Sequence, residues 1–233
     1  MDSSAYAFVH GIRSTRSALA AWNREPWPVL RSWLIGSFAA ATVLLIAVWL
    51  VAAITPVSVA TSLHKPPFFV GRSADVARIL LSNSLVLALH AMACVAGFIA
   101  GSSLPIQARE HHGVARVIHE RGGAIAIAFV ACATAFSLSM QARVLGTGLA
   151  RAAFSLRTSP GLLLLGLLPH AVPEVTALFL PLAAWIIASR QGDWDKLLAA
   201  TFVTVALAIP ILIATALWEV YVAPGLLHAL IAY

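Results

Sequence analysis

Apolar residues in this chain gather into long unbroken runs, each closed by a short polar or proline-bearing stretch. Leu34 to Ile54 carries no charge over about 21 residues, which at about 1.5 Å per residue gives a helix of about 31 Å, enough to cross the hydrocarbon of a bilayer. Thr55-Pro56 closes it, and a loop with His64, Lys65, Pro66, Pro67 and Arg72 follows. Ala77 to Gly101 is the second span. Pro105 to Gly123 is a polar loop with Arg109, Glu110, His111, His112, Arg116, His119, Glu120 and Arg121. Ala124 to Leu145 is the third span, and Gly146 to Ser159 reads as a short interfacial or re-entrant helix because glycines and arginines interrupt it. Gly161 to Ala188 is the fourth span. Leu197 to Val222 is the fifth, interrupted by Pro210, stopped by Pro224 and Gly225, and followed by a short apolar tail.

Residues 1–33 differ from everything after them. Phe8, Ile12, Leu19 and Trp22 fall near one helical face and Arg13, Arg16 and Arg24 occupy the remainder, the pattern of a helix lying at a membrane surface. Trp27 and Trp33, beside Arg31, read as an interfacial anchor at the mouth of the first span. The predicted organisation is an amphipathic N-terminal segment, residues 1–33, and a transmembrane helical domain, residues 34–233. The first span is too long for the apolar part of a cleaved signal peptide and is expected to remain as a signal anchor.

The fourth run holds the most informative stretch. At about 42 Å a fully helical Gly161 to Ala188 overshoots one bilayer. It contains His170 and Glu174, one helical turn apart, with Pro169, Pro173 and Pro181 around them. Each proline lacks an amide hydrogen and crowds the carbonyl four residues before it. Length and prolines together predict a half-helix to Leu168, a break carrying His170 and Glu174, and a span resuming to Ala188.

Composition sets the class. Of 233 residues, 61% are hydrophobic and 10% charged, and the mean hydropathy is +0.91. The fold class is therefore all-α: a polytopic integral membrane helical bundle of about five transmembrane helices, the fourth broken by prolines. The net charge of +6 comes from Lys and Arg scattered between spans rather than from a sustained basic patch, so no nucleic-acid partner is expected. With the N-terminus cytoplasmic, nine Lys and Arg lie inside against six outside, which favours that orientation in the cell membrane. Cys94 and Cys132 lie deep in apolar runs and spell neither a disulfide framework nor a metal site.

Candidate chemistry rests with the ionisable and amide side chains inside the spans: Asn83, His90, His170, Glu174 and Glu219. Asn83 and His90 are seven residues apart and share a helical face. A carboxylate in hydrocarbon must be protonated or paired, and a His170–Glu174 partnership completed by Asn83 would satisfy both. Such a cluster reads as a polar lock on helix register, as a proton or substrate pathway, or as a metal-assisted hydrolytic site with Glu174 as base. The last is the least supported, because no His-Glu-x-x-His helix, Gly-x-Ser-x-Gly elbow or paired-aspartate site is present. His112 and His119 lack nearby cysteines or a repeated ligand spacing, so their loop reads as solvated. No cofactor, catalytic residue or metal ligand is predicted. The absence of a phosphate-binding glycine loop leaves any nucleotide hydrolysis to a partner.

Three stretches carry a resemblance: Leu-Leu-Ser-Asn-Ser-Leu at 80–85 followed by Gly97 to Gly101, Leu-Leu-Pro-His-Ala-Val-Pro-Glu at 167–174, and Trp-Glu-Val-Tyr-Val-Ala-Pro at 218–224. In order and spacing they resemble the stage II sporulation protein M family, also known as the DUF95 family, over about Ala77 to Pro224. Asn83, His170, Glu174 and Glu219 match its pattern. Ser84 stands where that family has a second asparagine, Ala171 replaces the usual glycine, and Pro173 is additional, which marks a divergent member. The resemblance implies a membrane subunit of a multi-protein complex, a scaffold or permease-like component, with other membrane proteins as partners, among them a separate ATPase or a wall-remodelling protein. It equally implies a translocation, maturation or immunity component for a peptide such as a circular bacteriocin. An intramembrane peptide-processing enzyme is the third reading of the residues. Membrane lipid is a partner in each case, and oligomerisation is left open.

Overall fold

The computed structural model describes residues 3–57, 73–103 and 114–231, with side chains for 9, 11–57, 73–101 and 127–229. The described residues are helical nearly throughout. α1 is Ser3–Arg24, α2 Pro26–Ile54, α3 Ser73–Phe98, α4 Val114–Ser155, α5 Pro160–Gln191, α6 Leu197–Tyr221 and α7 Ala223–Ile231, with a π turn at Ile99–Ser103 and a 3₁₀ turn at Trp194–Lys196. Five stretches are long and apolar enough to cross a membrane: Pro26–Ile54, Ser73–Gly101, Ile127–Ser155, Pro160–Gln191 and Trp194–Tyr221. The protein is an all-helical, multi-pass membrane protein.

Four expectations change. The loop around His64 lies outside the described residues, as do His111 and His112, but the polar stretch from Val114 onward is helix and runs without interruption to Ser155. The separate re-entrant helix expected at Gly146 to Ser159 is therefore the last turns of α4. Apolar residues continue through it at helical spacing, and Gly146 and Gly148 lower helix propensity without ending the helix. The fourth span is one continuous helix over Pro160–Gln191, so the break expected at Pro169, Pro173 and Pro181 does not occur. In hydrocarbon each proline deprives one carbonyl of its amide, whereas unwinding would expose several backbone groups at once. Finally, the interruption expected at Pro210 does not occur, because α6 runs unbroken over Leu197–Tyr221. It ends where the stop at Pro224 and Gly225 was expected, and Pro224 falls in the first turn of α7, where proline loses no hydrogen bond.

Helix ends have local causes. Ser159 Oγ accepts from the Leu162 amide at 3.1 Å, capping α5 just before Pro160. At its other end Gly192 takes φ +73° and the Asp193 amide reaches back to the Ala188 carbonyl at 3.0 Å, a left-handed C-terminal turn that suits glycine. α4 closes in the same way, with the Thr158 amide on the Ala153 carbonyl at 2.9 Å, but there Arg157 holds the left-handed position at φ +53°.

Each span buries one helical stripe. On α3 it is Ile79, Asn83, Leu87, His90, Cys94, Gly97 and Phe98, steps of three and four that keep to one face. α5 is the most enclosed helix, buried at every position from Leu178 to Trp185. α4 is the least, with 6% of its apolar window buried against 56% for α5, so most of its side chains face outward.

The chain forms two compact units. One comprises Met1–Ser37, Val86–Thr134 and Leu178–Ala208, the other Phe38–Leu85, Ala135–Ala177 and Ile209–Tyr233. In the first, Trp33, Leu180, Ala184 and Ala200 pack together, joined by Trp22, Val29 and Val203. α1 docks there through Gly11, Ala18 and Trp22, with the Phe98 ring against Gly11, while Ile12 stays exposed. In the second, Ile79, Ala216 and Val220 form a cluster flanked by Val76 and Leu80. α4 approaches α2 in that unit at Gly146, on the same buried stripe as Ala142 and Ala150.

Gly146 is what allows this approach. A Cβ placed there would lie 2.6 Å from Val51 Cβ and 2.8 Å from the Val48 carbonyl oxygen, which cannot move without moving α2. Gly146→Ala should therefore destabilise the protein by about 1–3 kcal/mol through overpacking. Gly148→Ala meets nothing within 4 Å and should be neutral or stabilising by up to about 1 kcal/mol through helix propensity. Thermal unfolding of both variants in one detergent checks the contrast.

Candidate functional site

The second unit brings three of the five sequence-predicted polar residues together. Asn83, 9% exposed on the inner stripe of α3, donates from Nδ2 to Glu174 Oε1 on α5 at 2.9 Å. Glu219 on α6 lies close enough to Glu174 and to Arg78 for its charge to interact with both. Arg78 sits one turn before Asn83 and also faces Asp75, at 3.7 Å. The result is a polar cluster drawn from three spans, with two carboxylates, one amide donor and one guanidinium.

The local reasons are simple. Asn83 follows Ile79 by four residues, so the turn that buries Ile79 against Ala216 and Val220 also turns the amide inward. Glu174 is half-buried, and it accepts a hydrogen bond from the Asn83 amide. That donor is on α3, not on its own helix. The expected His170–Glu174 pair does not form, although a continuous helix keeps the two one turn apart. His170, 5% exposed, has an Nδ1 that is covered and without a hydrogen-bond partner. Its ring lines a cavity of about 400 Å³ with Pro169, Pro173, Pro210, Thr215 and Trp218.

His90 belongs to the first unit and does a different task. Its Nδ1 lies 2.9 Å from the Leu178 carbonyl oxygen, and because a carbonyl only accepts, this hydrogen bond requires the Nδ1–H tautomer. One turn further along α3, Cys94 Sγ donates to the Pro181 carbonyl at 3.1 Å. The two donors meet carbonyls three residues apart on α5, in the turn where Pro181 withholds its amide from Ala177. The ring of Phe179 packs edge-on against His90, centroids 5.3 Å apart. Further along, the Trp185 indole rests on Gly97, where an added Cβ would come within 2.7 Å of Nε1.

Sequence reasoning missed two participants. Arg78 stands at the entrance of the second span, and its spacing of five from Asn83 gave no face-sharing signal. Cys94 was read as a packing residue, and nothing in its spacing marked it as a donor to the Pro181 carbonyl. Among the described residues no group of three or more His, Cys, Asp or Glu gathers as a metal site.

Fold and cluster together define a five-span helical membrane protein with an intramembrane polar cluster. Comparison with protein-family models, with curated proteins and with solved structures finds no match to the chain.

The Asn83–Glu174 bond can be measured. In a double-mutant cycle of Asn83→Ala and Glu174→Ala, read by unfolding in detergent, the coupling should be about 1 kcal/mol, the size of interhelical hydrogen bonds in membranes. Asn83→Ala alone should cost more than the coupling, since it also leaves the buried carboxylate without its amide.

Proposed function

We propose that the chain is an integral membrane subunit of a multi-protein membrane complex, a scaffold or permease-like component that holds its spans in register through the polar cluster. The observation that carries this reading is the Asn83–Glu174 hydrogen bond. It ties the second span to the fourth, and a polar side chain inside a bundle fixes which helix faces meet. The resemblance to the stage II sporulation protein M family is part of the proposal, because the residues at its three motifs supply Asn83, Glu174 and Glu219. On this reading the partners are other membrane proteins, and one of them supplies any nucleotide hydrolysis. The arginine bias puts the N-terminus in the cytoplasm, so a reporter fused after Tyr233 should be active on the outer side only.

A second reading, a translocation subunit for a peptide or hydrophobic substrate, draws on Glu219. A helix lock needs one carboxylate; a second one near the first adds repulsion and desolvation unless a proton or cation is shared between them.

Affinity purification in mild detergent separates the two. Under the scaffold reading Glu174→Ala inserts normally but recovers its partner proteins several-fold less well than wild type, whereas Glu219→Gln keeps them. Intact partners in both variants, with loss of complementation in a deletion strain, would reject the scaffold in favour of translocation.

A further inference from the structure

α1 carries a feature that the polar cluster does not use. Its docked face contains Gly11 and Ala18, and the face beside it is open. Arg13, Arg16, Ala20 and Arg24 follow one another at steps of three and four, so they form a single row along the helix. All three arginines are exposed, and none forms an ion pair with a described residue. Val9 and Ile12, 45% and 43% exposed, continue the same face with apolar side chains. Between Val9 and Trp33 there are four arginines, the fourth being exposed Arg31, against the single carboxylate of Glu25.

The row of arginines leads into a cavity. Leu19, Ala20 and Asn23 of α1 form one wall, and Val29 and Trp33 of α2 with Val203 of α6 complete it. Ala20 thus belongs to both the wall and the basic row, with Arg16 one turn before it and Arg24 one turn after. The cavity measures about 490 Å³, within the roughly 300–1,000 Å³ of sites that enclose a small ligand. Trp22 and Trp33 meet edge-to-face beside it at 5.2 Å, which stiffens the wall. All of these residues belong to the first unit. Trp27 is 65% exposed nearby in sequence, at the start of the first span, where tryptophan sits at headgroup depth.

We infer that this groove is a binding site for an anionic phospholipid, with acyl chain against Leu19, Ala20, Val29 and Trp33 and the phosphate on Arg16 and Arg24. An apolar cavity alone would take any hydrocarbon. The guanidiniums one turn either side of Ala20, without an ion pair among the described residues, select a phosphate, which they bind in bidentate fashion, and a covalently attached chain accounts for the apolar wall. The site is independent of the proposed scaffold role.

The test uses the full chain in detergent with dibrominated phosphatidylglycerol or dibrominated phosphatidylcholine as quenchers of Trp fluorescence. Wild type should be quenched at several-fold lower phosphatidylglycerol than phosphatidylcholine. Arg16→Gln with Arg24→Gln should abolish that several-fold preference, since each basic residue near an anionic surface contributes roughly 1 kcal/mol. Ala20→Phe, which fills the groove and keeps every arginine, should weaken quenching by both lipids. Arg190→Gln, on α5, should change nothing. An unaltered preference in the double arginine variant would overturn the site. So would full quenching of Ala20→Phe, because it would leave a charged surface without a groove.

Discussion

A polar group inside hydrocarbon finds its partner within the protein or not at all. Most of this structure can be read as an answer to that constraint. Backbone groups are satisfied by making nearly every described residue helical, and many hydroxyl groups return to the carbonyl three or four residues back, as Thr204 does to Ala200 at 2.7 Å, whereas the buried Thr176 hydroxyl has no partner. What remains are the side chains that do not return to their own backbone. These join helices to one another.

The two units meet the remainder differently. In the first, donors on α3 serve carbonyls on α5: His90 to Leu178 and Cys94 to Pro181. These donors add a second hydrogen bond to carbonyls at and just before Pro181, and the helix continues through it. In the second, amide and carboxylate answer each other, Asn83 to Glu174, and Glu219 brings a further charge that the bond between them does not need. That surplus carboxylate, with the unpartnered His170 beside its cavity, is where structural economy ends and a functional reading begins.

Small residues serve the same end by a different route. Gly146 lets α4 reach the backbone of α2, Gly97 lets Trp185 lie flat on α3, and a Cβ on Gly101 would collide with the Trp194 ring. In a membrane, helices associate through close packing rather than by escaping water, so these contacts replace what a soluble bundle gains from burying leucine. α1 stands outside this scheme. Trp22 packs into the core, while Val9, Ile12 and the arginines stay exposed.

Much was legible in the sequence. Five spans follow from five apolar runs, because length and hydropathy alone decide whether a helix can cross hydrocarbon. Asn83, His90, His170, Glu174 and Glu219 follow from the cost of polar atoms there, and the shared face of Asn83 and His90 follows from a spacing of seven. Partnership was not legible. Spacing suggested that Glu174 would turn to His170 on its own helix, whereas the donor it takes is 91 residues away, on a helix whose rotation is set by Ile79, Leu87 and Phe98. Nor could spacing tell whether prolines at 169, 173 and 181 break a helix, since that depends on how the surrounding helices enclose it. The sequence by itself determined which groups could not be left alone in a membrane; only the tertiary structure decided which of them meet, because partners on different helices are chosen by packing and not by distance along the chain.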